Sequence, residues 1–581
     1  MAITYRITPQ PNQHIYNISL TFTATAAHQE LKLPVWIPGS YMVREFSKQV
    51  LQVIAVNGDY QVLQLGKNEW NITGLTIGAK VEISYQVYAY EYGIRTAFLD
   101  FNRGYFNPTS LCLVVIGNES SQHSVIVEDL PANWQVATGL TEVTANTYIA
   151  KDYDELIDCP FELGALTRIS FNVDNVPHYL ILSGTIPEFD QQRMIADMQK
   201  VCEYQIRLFG GIAPYSSYTF ILNLSGEIYT GLEHRNSTLL MAPYYALPNL
   251  IGSNDIEYFK LMGLISHEFF HTWNVKRIKP KVFTPYDLYQ ENYTKLLWWF
   301  EGVTSYYDDL VLYRSGVITQ EQYLQIIADN INNVYKFNGA RIQSVANSSL
   351  TSWIKYYRQD ENSPNSIASY YVKGSLVALC LDLMIREQSI YSLDDVMLYL
   401  YKEWCNNPVG IGEDEIPSLI KAATGVDLTR FIYEATETTA ELPFSHLFAA
   451  VGLELNQRRA KNHQDSGKYY TTTSNKASVH PIIDLGVRIE KLSLGYLVKN
   501  VYSGGSGDKI GLAAGDIILA INQVKLSNFD QQISFYNSGN EVMLTLFRQE
   551  RLINLSCVLE ESVADIVDIG LVDRGLLSNW L

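Results

Sequence analysis

The stretch Ser266-His267-Glu268-Phe269-Phe270-His271-Thr272-Trp273-Asn274 sets two histidines four residues apart around a glutamate. Apolar residues recur at helical spacing ahead of it, so we predict one mostly buried helix from about Ile256 to Trp273. On such a helix His267 and His271 share a face. A His-Glu-x-x-His pattern is typical of zinc hydrolases, whose catalytic metal takes a third protein ligand and keeps an open position for water. The stretch therefore predicts a metal site with one ligand still to be found.

The best candidate for the third ligand is Glu301, an acid embedded in a second helix-like apolar run, Leu296 to Leu310. A buried acid without a partner is costly and favours a cation nearby. The gap after His271 is long enough for a loop and a helix that returns antiparallel to the first. We predict one Zn²⁺ per chain, held by His267, His271 and Glu301 as in thermolysin-like enzymes. Glu268, next to the first ligand, is then the general base that takes a proton from water and passes it to the leaving amine.

Composition excludes several classes of partner. The 581 residues are 47% hydrophobic and 18% charged, which is ordinary for a globular chain of several domains. The formal charge of −18 opposes binding to nucleic acid or to anionic lipid. No apolar run reaches the length of a membrane span and the N-terminus lacks a signal-peptide pattern, so we expect a cytoplasmic protein. The six cysteines are scattered without C-x-x-C pairs, as reduced core thiols are.

The chain divides by pattern into four parts that make a multidomain α+β protein. Residues 1–170 alternate as strands do and predict a β-rich domain. Residues 171–320 mix strands with the metal helices, residues 321–450 are largely helical, and residues 451–581 hold a linker and a small C-terminal domain.

Two loops rich in aromatic residues, glycine and proline interrupt the β-rich part, Pro34 to Phe46 and Phe98 to Pro108. Each carries one arginine, Arg44 or Arg103. Either the loops face a catalytic cleft or these arginines form ion pairs within the domain, and the sequence does not choose between the two.

A strand is predicted at Tyr218 to Leu224, where it would offer an edge for substrate ahead of the metal helix. Glu233 follows in the Gly-bearing turn Gly231-Leu232-Glu233-His234. A carboxylate there could bind the α-amino group of a peptide. The alternative is a structural loop acid paired with Arg235 or another basic residue.

Residues from about Asn456 to His480 are polar and predict a long loop or linker. The segment Gly511 to Asn522 beyond it resembles a PDZ domain, although Gln523 stands where such domains usually place glycine. Leu492 to Tyr496 is a looser match to the loop that receives a chain-terminal carboxylate. The C-terminal domain is therefore a candidate binding site for a peptide C-terminus.

Taken together, these residues resemble the PDZ-containing glycyl aminopeptidase family of zinc metallopeptidases, of the gluzincin type. The resemblance is carried by Trp36 to Tyr41, Asp100 to Asn107, Gly231 to His234, His267 to Asn274 and Trp299 to Gly302. Thr230 departs from it, because another glycine is expected there. The resemblance implies a β-rich N-terminal domain, a thermolysin-like zinc peptidase domain with a helical extension and a C-terminal PDZ domain, acting on the N-terminal Gly or Ala of peptides.

The resemblance also implies two further site residues. Tyr371, ahead of Lys373-Gly374, would donate a proton to the oxyanion, with Tyr370 as its rival. Glu233 would bind the substrate amine. Because metal-bound histidines usually donate their other N–H to a carboxylate or carbonyl, we also predict a partner in Asp308, which lies two helical turns past Glu301. A zinc endopeptidase and a non-catalytic peptide-binding protein remain the alternative functions.

Overall fold

The computed structural model describes residues 3–252, 255–471 and 482–581. The chain folds as two units. The first contains Met1–Tyr293 with Arg314–Val317 and Leu400–Gly412, and the second contains Thr294–Tyr313, Ile318–Tyr399 and Glu413–Leu581. In the described part of the chain, no helix is long and apolar enough to cross a membrane.

Alternating apolar and polar residues build the first part of the chain as β-sheet. The elements are β1 (Ile3–Gln10), β2 (Ile15–Thr23), β3 (His28–Lys32), β4 (Val50–Ala55), β5 (Gln61–Gly66), β6 (Glu69–Thr73), β7 (Lys80–Tyr88), β8 (Ala97–Leu99), β9 (Arg103–Phe106), α1 (Pro108–Leu111), β10 (Val114–Val115), β11 (His123–Val127), β12 (Gln135–Thr138), β13 (Thr141–Thr144), β14 (Thr147–Ala150), α2 (Tyr153–Ile157) and β15 (Phe161–Gly164). Every second residue of β2 is buried, as the two-residue period of a strand requires.

Three sheets share one core in this region. Their strand orders are β13-β14-β11-β1-β2-β7-β4, β10-β3-β6-β5 and β12-β15-β9-β8. The inward residues of β1, β2 and β7 pack with those of β3, β6 and β9, and the cluster continues to Ile181, Ile221 and Leu239. A single hydrophobic core therefore joins the N-terminal sheets to the sheet that follows.

The next elements carry the first half of the predicted site. They are β16 (Thr167–Val173), β17 (Val176–Gly184), α3 (Gln191–Leu208), β18 (Tyr218–Ser225), β19 (Thr230–Glu233), β20 (Ser237–Pro243) and α4 (Ile256–Phe270). The strands pair in the order β16-β17-β18-β20-β19. The edge predicted at Tyr218 to Leu224 is wrong, because β18 is central and buried along its whole length. The edge strand is β19, which pairs antiparallel with β20.

Helix α4 is three residues shorter than the sequence predicts. It ends at Phe270, and His271 is its C-terminal cap with helical backbone angles. The chain then turns sharply, since the backbone N–H of Lys276 donates to the carbonyl of His271 at 3.0 Å. The apolar period continues to Trp273 because Trp273 is fully buried in this turn.

The chain from residue 297 to residue 450 is largely helical, and this includes residues 321–450, where the sequence predicts helices. Its helices are α5 (Leu297–Phe300), α6 (Gly302–Arg314), α7 (Gln320–Tyr335), α8 (Gly339–Ile342), α9 (Val345–Leu350), α10 (Ser363–Ser366), α11 (Val372–Gln388), α12 (Leu393–Asn406), α13 (Ile416–Thr424), α14 (Thr429–Thr436) and α15 (Phe444–Ala450). Leu376, Leu379, Leu383 and Ile385, the predicted apolar face, are all buried on α11. The predicted run from Leu296 to Leu310 is two helices, because the chain breaks at Glu301.

The linker predicted over residues 456–480 is wrong at its start. The C-terminal elements are β21 (Leu453–Arg458), β22 (Tyr469–Tyr470), β23 (Val487–Lys491), β24 (Tyr496–Val501), α16 (Ser506–Lys509), β25 (Ile517–Ile521), β26 (Val524–Lys525), α17 (Phe529–Ile533), β27 (Glu541–Arg548), β28 (Arg551–Val558), β29 (Ile566–Leu571) and α18 (Arg574–Leu577). Strand β29 lies between β21 and β22 in one sheet. Polar residues occur there because the strands are short and partly exposed. Residues 472–480 of the predicted linker lie outside the described residues.

The segment predicted as a PDZ domain forms a separate sheet with its own core. Its strands pair in the order β23-β24-β25-β27-β28, with β26 on β25. The carboxylate loop predicted at Leu492 to Tyr496 is wrong. The N–H of Leu492 donates to the carbonyl of Gly495 at 2.8 Å, so these residues close the β23–β24 hairpin. The edge strands of this sheet are β23 and β28, whereas β24 is paired on both sides.

These elements confirm the predicted class, a multidomain α+β protein with a β-rich N-terminal domain, a mixed domain with a helical extension and a small C-terminal β domain.

Candidate metal centre and substrate site

The two histidines of the motif face each other on one side of α4. Their Nε2 atoms are 3.1 Å apart, and the rings stand nearly perpendicular at 85° with centroids 4.7 Å apart. His271 is 1% exposed, and its Nδ1 lies 2.7 Å from the backbone oxygen of Asn274. A carbonyl accepts only, so Nδ1 carries the proton and Nε2 keeps its lone pair. The histidines thus present a nitrogen pair suited to one metal ion.

Glu268 lies between the histidines in the sequence and turns its carboxylate toward the edge strand β19. Its side chain is buried, with 5% of the residue exposed. A Cβ added at Gly231 of β19 would stand 2.0 Å from Glu268 Oε1, so only glycine leaves room for this carboxylate. Ligand atoms of Glu233, Glu268 and His271 all lie within 4.8 Å of one another. Two carboxylates and the histidine pair therefore converge at the end of β19.

Glu233 is the last residue of β19, and not part of a turn as the sequence suggested. It is 4% exposed, and within the described ranges its Oε1 has no hydrogen-bond partner. A Cβ at Gly39 would stand 2.5 Å from Glu233 Oε2, so a side chain there would collide with the carboxylate. The φ of Gly39 is +93°, a backbone conformation that also favours glycine. The loop Pro34 to Phe46 thus reaches the site, which supports the cleft-facing alternative for that loop.

Arg235 does not pair with Glu233, although the sequence left that alternative open. Its Nε donates to Asp158 at 2.9 Å and its Nη2 donates to Asp154 at 2.6 Å. Glu233 is therefore not neutralised by its neighbour in the chain.

Asp158 is the centre of a buried charge network that sequence reasoning missed. It accepts hydrogen bonds from Lys276 Nζ at 2.9 Å and from Arg235, and His234 Nδ1 lies 3.1 Å away. Burial opposes ionisation of Asp158, but Lys276, then the His234 hydrogen bond and Arg235, hold its pKa well below the ordinary value. Burial lowers the pKa of His234, which leaves it neutral. This network supports the backbone directly after Glu233.

The second unit holds the other predicted site residues. Glu301 is 2% exposed and caps α5, and α6 begins at Gly302. A Cβ at Gly302 would stand 2.6 Å from the Cα of Gly374 and 2.9 Å from the carbonyl oxygen of Tyr370. The start of α6 therefore packs backbone to backbone against the first turn of α11. This contact brings Glu301 close to Tyr371.

Tyr371 caps the N-terminus of α11 and is half-buried, whereas Tyr370 is fully buried. Burial, followed by the charge of Glu301, raises the pKa of Tyr371 well above its ordinary value. The Tyr371 hydroxyl therefore keeps its proton at neutral pH, and Tyr371 is the more accessible of the two tyrosines.

The remaining predicted residues are Arg103, Arg44 and Asp308. Arg103 forms a buried double hydrogen bond with Glu162, Nε to Oε1 and Nη2 to Oε2 at 2.8 Å each, so it has the intradomain role. Arg44 donates from Nη2 to Ser40 Oγ at 2.7 Å, next to Gly39. Asp308 is half-buried on α6 and accepts from the backbone N–H of Asp309 at 2.6 Å.

A His-Glu-x-x-His helix beside the edge strand of a mixed sheet defines a metallopeptidase. The models of three families match the chain: the Peptidase M61 N-terminal domain over residues 4–165, the M61 glycyl aminopeptidase over residues 260–377 and the PDZ domain over residues 481–546. A crystal structure of an aminopeptidase N family protein from Idiomarina loihiensis is 36% identical, with all of both chains covered and a TM-score of 0.94. The chain belongs to the M61 glycyl aminopeptidase family, and its resemblance to that family is confirmed.

An M1 zinc metallopeptidase from Deinococcus radiodurans is 13% identical, with 76% of this chain and 95% of that one covered and a TM-score of 0.48. No curated protein matches the chain.

Proposed function

We propose that this peptidase is a zinc-dependent aminopeptidase that removes Gly or Ala from the N-terminus of peptides. The observation that carries the proposal is the buried carboxylate of Glu233 at the end of β19, whose Oε1 has no hydrogen-bond partner in the described part of the chain. A buried charge of this kind favours a cationic ligand, and the free α-ammonium group of a peptide is such a ligand. A substrate that extended beyond Glu233 on its N-terminal side would have no ammonium group at this position, and the buried Glu233 carboxylate would then lack a cationic partner.

The donor set fits a zinc ion. The Nε2 atoms of His267 and His271 face each other at 3.1 Å, and carboxylates are common additional ligands of zinc. We assign His267, His271 and Glu301 as the three ligands, in keeping with the motif and the family. Zinc held by these residues would supply a Lewis acid that polarises the scissile carbonyl and acidifies water.

Glu268 acts as the general base. It takes one proton from the attacking water and passes it to the nitrogen of the leaving peptide, so that the C–N bond breaks as a neutral amine departs. Gly231 keeps the carboxylate in place because any larger residue would collide with it.

Tyr371 donates a hydrogen bond to the oxygen that gains negative charge as the water adds. Glu301 and burial keep its hydroxyl protonated, since both raise its pKa. Tyr370 remains the rival, but its complete burial makes it the less accessible donor.

The preference for substrates with a small N-terminal residue is explained by the loop Pro34 to Phe46, which contains Gly39. The loop backbone approaches Glu233 so closely that a Cβ at Gly39 would overlap its carboxylate. A substrate amine bound to Glu233 therefore lies next to backbone, where a small side chain fits best.

Asp308 is assigned as the carboxylate that orients a metal-bound histidine through its second ring nitrogen. Asp308→Ala is expected to weaken metal binding about 10- to 100-fold, as measured by competition with a chelator. Asp309→Ala is the control, and a loss of affinity in that variant alone would show that the wrong aspartate was chosen.

The PDZ domain is assigned to peptide binding by strand addition at β23, with a peptide C-terminus as the ligand. If the protein were only a peptide-binding scaffold, the zinc-loaded chain would bind peptides at this strand and hydrolyse none. An endopeptidase would cleave N-acetylated peptides as fast as peptides with a free amine.

The test of the aminopeptidase assignment is Glu233→Ala, assayed on Ala-initiated peptides and on the same peptides with an acetylated N-terminus. Loss of a hydrogen bond to a charged group predicts a fall in kcat/KM of about 10- to 100-fold on the free amines. Zinc content should stay unchanged, and the discrimination against acetylated peptides should shrink. Glu227→Ala, an exposed acid in the preceding turn, is the matched control. Unchanged kinetics of Glu233→Ala on free-amine peptides would remove Glu233 from the site.

A further inference from the structure

A cavity of about 280 Å³ lies in the second unit, between α7, α8, α10 and the first turn of α11. Its lining includes the apolar side chains of Val334, Phe337 and Ile367. Each of these side chains is only partly buried, so the apolar surface is open to a ligand.

The cavity is also lined by Lys373, whose side chain ends in an ammonium group. This lysine is 3% exposed, and its Nζ donates to the backbone oxygen of Ala340 at a long 3.4 Å. Across residues 3–252, 255–471 and 482–581 no carboxylate pairs with Lys373, and no acid is among the residues that line the cavity. An ammonium group taken out of water without a counter-charge is costly, and burial lowers the pKa of Lys373 accordingly. The lysine is thus a buried cation beside an open space.

Two hydroxyl groups also line the cavity. The hydroxyl groups of Tyr356 and Ser369 lie 3.1 Å apart and line it together with Lys373. Val372 and Lys373 are the first two residues of the 17-residue helix α11, whose N-terminal dipole adds positive potential there. The lining of the cavity therefore combines one buried ammonium group, two hydroxyl groups and apolar side chains.

We propose that this cavity is a second ligand site that binds a small monocarboxylate with an apolar chain, its head at Lys373 and its chain against Val334, Phe337 and Ile367. A single ammonium group matches a single negative charge, and the apolar wall disfavours a strongly hydrated dianion. A free amino acid is a poorer match, because no acid lines the cavity to receive its ammonium group. The carboxylate could belong to a short-chain fatty acid or to the C-terminus of a peptide, and these share the same chemistry.

Such a ligand would contact Tyr356, whose ring stacks on that of Tyr371 with centroids 5.6 Å apart. The site therefore lies one aromatic ring from the proposed catalytic tyrosine. The binding proposal does not depend on the peptidase reaction, and its test measures binding alone.

The experiment is calorimetric titration of the full chain with four probes: hexanoate, hexanamide, acetate and N-acetylleucine. Hexanoate or N-acetylleucine should bind at least about tenfold more tightly than hexanamide, which lacks the charge, and than acetate, which lacks the chain. Binding of hexanoate alone would identify a fatty acid, and binding of N-acetylleucine alone would identify a peptide terminus. Both outcomes support the site, whereas no binding of either probe overturns it.

The variant that tests the assignment is Lys373→Met, which keeps the length of the side chain and removes its charge. We expect it to lose at least about tenfold in affinity for the bound probe, while Lys355→Met, at an exposed lysine, stays at the wild-type value. Ile367→Phe is a second variant that adds bulk to the apolar lining and leaves Lys373 in place, and it should also abolish binding. Wild-type affinity in both Lys373→Met and Ile367→Phe would show that the probe binds elsewhere and would overturn the proposal.

Discussion

Replacing Gly231 with alanine should disable the general base and leave the rest of the protein intact. The new Cβ would stand 2.0 Å from Glu268 Oε1, 2.4 Å from its Cδ and 2.6 Å from its Cγ. Nonbonded atoms of these kinds separate to about 3.5 Å, so the carboxylate has to move by more than about 1 Å. Gly231 itself lies on β19, where alanine is sterically allowed, and the atoms that must move are at the end of one side chain.

A displacement of that size at a catalytic group costs about 10²-fold in rate. This corresponds to about 2.7 kcal/mol of transition-state stabilisation. The cost for folding is expected to be small, because glycine in a strand is itself unfavourable by about 0.5–1 kcal/mol relative to alanine. Gly231→Ala should therefore lose about 10²-fold in kcat with its melting temperature nearly unchanged.

The assay is steady-state hydrolysis of an alanyl anilide, with metal content measured on the same samples. Gly226→Ala is the control, because that glycine is exposed and a Cβ there meets nothing within 4 Å. If Gly231→Ala kept kcat within threefold of Gly226→Ala, the carboxylate of Glu268 would not be the base in the position that the structure gives it. A loss of metal in Gly231→Ala would point instead to a disturbance of the histidines.

Three further predictions address the other residues of the site. Glu268→Gln should keep about one equivalent of zinc and lose about 10²- to 10⁴-fold in turnover, whereas Glu301→Ala should lose the metal, and elemental analysis separates the two. Tyr371→Phe should lower kcat about 10²- to 10³-fold with little change in KM, and Tyr370→Phe should not; the opposite result would make Tyr370 the donor. Asp158→Asn should lower the free energy of unfolding by about 3–5 kcal/mol, since it leaves buried cations unpaired. The folded pKa of Asp158 is well below its unfolded value of about 3.9, so its contribution is present at neutral pH and is lost only as the pH falls through the folded pKa. Urea unfolding of wild type and variant should therefore converge only in strong acid.

The sequence could predict those parts of the site and fold in which residues repeat at the spacing of a helix or a strand. His267 and His271 are one helical turn apart, so their shared face follows from the geometry of an α-helix alone. The strands of the N-terminal part follow likewise from a two-residue alternation, as in β2. The expectation that the protein binds neither nucleic acid nor anionic lipid rests on its charge and stays a prediction.

The predicted bounds of helices and strands are wrong where the spacing of apolar residues continues past the end of an element, or where an element is short. Trp273 continues the apolar period of α4 but is buried in a turn, because tertiary packing covers it equally well there. Strand β21 is partly exposed and therefore polar, and it forms because β29 pairs with it from the far end of the chain. The glycine-containing hairpin after β23 was mistaken for a carboxylate loop because both use the same small residues.

Contacts between residues far apart in the chain were decided only by the tertiary structure. Gly39 contacts Glu233, Asp158 contacts Lys276, and Gly302 contacts Gly374. In each pair, the sequence around one residue does not indicate that the other will lie beside it. A helix or strand period encodes which side of an element is buried, whereas the partner on that side depends on how the sheets and helices pack. The sequence alone thus predicted the His-Glu-x-x-His helix and a metal chemistry for it, and the fold decided which glycines make room for the carboxylates and which buried charges surround them.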